Sequence, residues 1–117
     1  MQKVGTDDAG FSVEVDAATR SAKIVGWGFW DAEVAAAFDT TVLEAFRNAS
    51  LGTNVSIDMS ELKPMRDEGQ RSFGHVLAEL HRQTTGVISV TTTSHLVKLQ
   101  LLRIARDAAA KERVQFT

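Results

Sequence analysis

The stretch Gly86–Ala105, GVISVTTTSHLVKLQLLRIA, changes its period midway, and that change decides the fold. Val87 to Val90 form a short run rich in β-branched residues, the composition of a buried strand. Four hydroxyl residues follow, Thr91-Thr92-Thr93-Ser94, of which Thr93 or Ser94 is placed to cap a helix. Beyond them Val97, Leu101, Ile104, Ala105 and Ala108 recur at three- and four-residue steps, one apolar helical stripe. The unit is a strand leading through a cap into a helix, the repeating element of an α/β sheet.

The same unit recurs upstream. Val55, Ile57 and Met59 alternate with polar residues, and Pro64 stands in the loop that follows. Asp67 precedes Gln70 by the spacing of a capping box, and Phe73, Val76, Leu77, Leu80 and Thr84 make the stripe of a helix ending near Gly86. Earlier, Ala22 to Trp30 reads as a strand running into a helix over residues 31–49, with Asp31 as its cap, Glu33 in its first turn and Gly52 at its end.

Phe11, Val13 and Val15 alternate in a strand whose short connection through Ala17–Arg20 predicts an antiparallel hairpin with the next one. Residues 1–10 read as a polar lead-in, and Arg113–Thr117 as an edge strand. The expected order is β-β-α-β-α-β-α-β in a single α/β domain over residues 1–117. Its sheet is mostly parallel, with one antiparallel strand at the N-terminal side.

Composition bounds the function. The 117 residues, 44% hydrophobic and 24% charged, suffice for one domain with a real core. Without cysteine there is no disulfide framework, thiolate nucleophile or thiolate zinc site, which fits a cytoplasmic protein. No segment is apolar for the length of a membrane span, and no secretory leader is read at Met1–Gly10. The net charge of −2 is uneven: residues 1–62 carry 4 basic and 10 acidic side chains, residues 63–117 carry 9 and 5. The basic half lacks the interleaved aromatics of a nucleic-acid groove, so the charge points to a protein partner.

With these elements in order, the chain resembles the STAS domain, the small fold of bacterial anti-sigma-factor antagonists and of sulfate-transporter cytoplasmic tails. The topology carries the likeness together with Asn54-Val-Ser-Ile-Asp58-Met-Ser60, which looks like the family's third strand ending in an aspartate and a serine. In that family an Asp-Ser pair opens the second helix, and a partner kinase phosphorylates the serine. The resemblance places Asp67 at the aspartate and Glu68 at the serine, in Arg66-Asp67-Glu68-Gly69. A glutamate accepts no phosphoryl group and supplies only part of a phosphoserine's charge of about −1.5 to −2, so the family's switch is not expected to operate here.

The resulting expectation is a non-catalytic regulatory or scaffold module that contacts a protein through Ser60, Asp67, Glu68 and Ser72. The alternative is a small-molecule or anion-binding domain using Thr92, Thr93 and Ser94 at the N-terminus of the third helix. Leu99 and Leu102 point away from the inner stripe of that helix, toward Arg103 and Arg106, and are the candidate contacts of a homodimer. Either of Trp27 and Trp30, set on opposite strand faces, is available to a ligand if exposed. Gly26-Trp27-Gly28 lacks the third glycine of a dinucleotide loop. His75, His81 and His95 have no metal-ligand spacing, and no serine sits in a nucleophile-elbow pattern, so no metal, cofactor or enzymatic activity is expected.

Overall fold

Alternating apolar residues along each strand need one covered face, and the chain supplies it with three helices. A computed structural model describes residues 1–108 and 113–117. It contains β1 (Gln2–Gly5), β2 (Gly10–Asp16), β3 (Ser21–Gly28), α1 (Ala32–Ala45), β4 (Asn54–Leu62), α2 (Asp67–Gln83), β5 (Ile88–Thr91), α3 (His95–Asp107) and β6 (Val114–Phe116). The strands stand side by side in chain order. β1, β2 and β3 pair antiparallel, and β3 through β6 pair parallel.

Each parallel connection advances the sheet in the same direction. Right-handed crossovers, the rule for such units, therefore set every helix on one face. α1 packs against α2 and α2 against α3, while Phe11, Ile24, Ile57, Met59 and Val90 are buried beneath them. The other face is open. One register row runs Glu14, Lys23, Ser56, Ser89, Gln115 across five strands, all polar and none buried. Parallel sheets are usually covered on both faces and then read as continuous apolar runs. The strict alternation of β4 reflects single-sided cover. The unreversed strand order also removes the switch-point crevice in which open α/β sheets hold nucleotides.

The core is anchored by aromatic contacts. Trp30 lies 4.7 Å from Phe38 and 5.9 Å from Phe11 between ring centroids, and Phe38 stacks on Phe73 at 5.5 Å. Burying the Trp30 indole leaves its N–H in need of an acceptor, which is the Gly10 carbonyl at 2.9 Å.

The expected class and order are present, with local differences. The lead-in contains a strand, β1, because its edge pairing with β2 rests on main-chain bonds and asks only Val4 for apolar packing. α1 stops at Ala45 rather than running to 49, since Phe46 turns inward to the core as the C-cap; Gly52 lies in the turn beyond. β3 ends at Gly28, where φ is +73° and a Cβ would stand 1.9 Å from the Asp8 carbonyl oxygen, so only glycine fits. Trp30 therefore lies beyond the strand, buried, while Trp27 lies half-buried with its N–H on the Thr6 carbonyl at 2.8 Å.

Candidate functional site

Strands β3, β4 and β5 all deliver the chain to the same edge of the sheet, where Ser60 and Thr93 meet. Ser60 occupies a bulge at the end of β4: its amide and hydroxyl both donate to Asp58 Oδ1, at 3.0 and 2.7 Å. The Ser60 hydroxyl first, and then its amide, hold the Asp58 carboxyl below the usual carboxylate range; partial desolvation opposes them, and Lys23 adds a smaller downward pull. Thr93 Oγ donates to the Ser60 carbonyl at 2.6 Å, so the loops after β4 and β5 are tied together.

The loop before α2 is held equally firmly. The Met65 amide donates to Gln100 Oε1 at 2.9 Å, and the Met65 carbonyl accepts from Gln100 Nε2 and Gln70 Nε2 at 3.1 and 2.9 Å. Gln70 in turn accepts from Arg103. This bonding replaces the capping box expected from Asp67 and Gln70. Arg66 is the N-cap and makes no side-chain cap, Gln70 reaches back to Met65, and Asp67 is the first helical residue. Asp67 and Glu68 are consequently exposed first-turn acids, favourable to the helix dipole and, among the described residues, without a side-chain hydrogen bond or ion pair. Ser72 is half-buried on the same helix.

The hydroxyl turn is occupied by its own structure. Ser94 caps α3 by accepting from the Val97 amide at 3.3 Å, Thr93 is committed to Ser60, and the Thr92 amide points to the Thr117 carbonyl at 3.5 Å. Of the first three helical amides only those of His95 and Leu96 are left for an anion, and the basic side chains of that turn are His95 and Lys98.

Three features were not singled out from the sequence. Phe29, 43% exposed between β3 and α1, carries the Arg66 guanidinium over its ring at 5.2 Å from the centroid. A groove of about 640 Å³ opens between α2 and α3; its rim holds Asp67, Arg71, Arg103 and Asp107, and its floor includes Gly74 and Ala78. His75 Nδ1 meets Asp39 Oδ2 at 2.7 Å, an exposed bridge between α2 and α1. Among the described residues Ser72 makes no hydrogen bond to His75, so the pair is not extended to a nucleophile. Leu96 and Leu99 are 56% and 49% exposed on α3, and Leu102 is half-buried. The arginines of the groove carried no pattern that separates a lining residue from an ordinary solvated helix face.

Among the described residues no three His, Asp or Glu side chains are grouped to hold a metal ion, and no helix is long and apolar enough to cross a membrane. Compared with known proteins, the chain matches no family model and no curated relative.

Proposed function

We propose that this domain is a non-catalytic binding module that receives a protein partner at the start of α2 and along the groove between α2 and α3. The observation that carries this reading is the groove itself. It begins at Asp67, is walled by two arginines and two aspartates, and has a floor of small side chains that admit a partner's backbone or helix closely. Asp67 stands exposed at its mouth with no cap to maintain, flanked in sequence by the exposed Arg66 and Glu68, and Leu96 and Leu99 add apolar surface on the neighbouring helix. Phenylalanine and arginine, as in the exposed Phe29–Arg66 pair, are also among the residue types enriched in protein interfaces.

The STAS resemblance supports the same surface, since the family's regulatory position maps to Glu68. A permanent carboxylate there makes binding constitutive rather than phosphorylation-gated. The test is capture of partners by wild type and by Glu68→Lys, after denaturant titration shows both to be folded. Charge reversal at such a rim acts on association rate and salt dependence. A recovered protein lost with Glu68→Lys supports the reading; identical recovery with both baits refutes it.

A further inference from the structure

A second cavity, of about 300 Å³, lies on the other side of Phe29 from the α2 start. The β1–β2 turn, Phe29 and the first turns of α1 enclose it, with Val4, Ala9, Val34 and Ala37 as apolar wall. Asp31 and Glu33 stand at its rim. This volume is at the low end of the roughly 300–1,000 Å³ of ligand pockets, room for one long side chain rather than a cofactor.

The charged residues that line it, Asp31 and Glu33, have one sign. Asp31 Oδ1 accepts from the Val34 amide at 2.8 Å, which fixes the carboxyl as the cap of α1. Among the described residues neither its second oxygen nor the Glu33 carboxylate has a hydrogen bond or ion pair. The adjacent turn adds Asp7 and Asp8, of which, among the described residues, only Asp7 is paired, with Lys3 at 3.7 Å. An apolar slot ending in unpaired carboxylates matches a group with a hydrocarbon stem and a cationic head. We infer that this cavity receives a lysine or arginine side chain projecting from the protein partner, the stem packing on Val4, Val34 and Phe29 and the head meeting Asp31 and Glu33. The inference rests on the partner-binding reading for the source of the side chain. It adds the chemistry of that partner, a basic residue set beside the surface that meets Arg66.

The test has two arms. In the first, n-butylguanidinium is titrated into the isotopically labelled protein and amide shifts are followed, with 1-butanol as the neutral control. The expected result is a saturable millimolar response confined to Val4, Ala9, Val34, Ala37 and their neighbours. Asp31→Asn with Glu33→Gln, which keeps an N-cap acceptor, should weaken it about three- to tenfold, since it removes two solvent-exposed charge pairs, each worth only a small factor. Equal responses to butanol, or shifts spread over every exposed acid, overturn the cationic site. In the second arm the same double variant is the bait for partner capture. Loss of a protein that Glu68→Lys also loses supports one partner spanning both places. Retention of every partner overturns the assignment to a partner side chain while leaving the Glu68 result to stand on its own.

Discussion

The starts of α2 and α3 are built from the same unit, a strand delivering the chain at one sheet edge, yet they solve the helix N-terminus differently. At α3, Ser94 accepts from the Val97 amide and Thr93 ties the turn to Ser60, so these two hydroxyls are spent on the fold. At α2, Arg66 sits at the cap position without capping, and the loop is held from behind by Gln70 and Gln100. Moving the structural task to two glutamines leaves Arg66, Asp67 and Glu68 facing solvent. The local return is the exposed stacking of Arg66 on Phe29, and residues that break a local rule for so small a gain mark sites where something other than stability sets the sequence.

The difference predicts opposite responses to substitution. The largest effect is expected in binding: Ala78→Arg, which fills the groove floor from a half-buried position, should lower partner retention at least about tenfold, or 1.4 kcal/mol. Unchanged retention would move the contact off the groove. In stability, Ser94→Ala should cost about 1 kcal/mol, within the 0.5–2 range of lost caps, as measured by urea titration. Asp67→Ala should cost less, about 0.3–1 kcal/mol, because only its interaction with the helix dipole is lost. If Asp67→Ala costs more than Ser94→Ala, the capping box predicted from sequence forms after all.

The smallest effect concerns acid. The Asp58 carboxyl is depressed in the folded state, so its contribution is complete above the ordinary aspartate range and is lost as pH falls through the lower folded value. Asp58→Asn should therefore flatten the fall of stability below about pH 4, the ordinary aspartate value, without altering the slope near neutrality. An unchanged acid limb would remove the Ser60 bonds as its cause.

The sheet was legible in sequence because burial on one face imposes strict alternation, as in Val55, Ile57 and Met59, and because each helix shows its stripe. The same alternation already signals that only one face is covered, a consequence visible once strand order is known. β1 was not legible, since an edge strand held by main-chain bonds leaves almost no side-chain pattern. Asp31 is legible as a cap because a cap is a local bond, and the same locality narrows the cap of α3 to Thr93 or Ser94, of which the structure uses Ser94. The bonds of Gln100 and Arg103 are not legible, because their partners Met65 and Gln70 lie 35 and 33 residues away in sequence, and Gln70 reaches Met65, five residues back, only once the loop before α2 is folded. The exposed acids at 67 and 68 were found, whereas the groove they open onto depends on how α2 and α3 lie together.

The most direct test of the account is Arg66→Ser, which supplies α2 with the cap it lacks. A new cap contributes about 1 kcal/mol, and losing the exposed stacking on Phe29 costs about 0.5–1 kcal/mol. Stability by denaturant titration should therefore stay level or rise by up to about 0.5 kcal/mol, while partner capture falls sharply. A protein that is no less stable and binds less well is the signature of a helix start kept open for a partner. Capture at the wild-type level from an equally stable Arg66→Ser variant would contradict the claim.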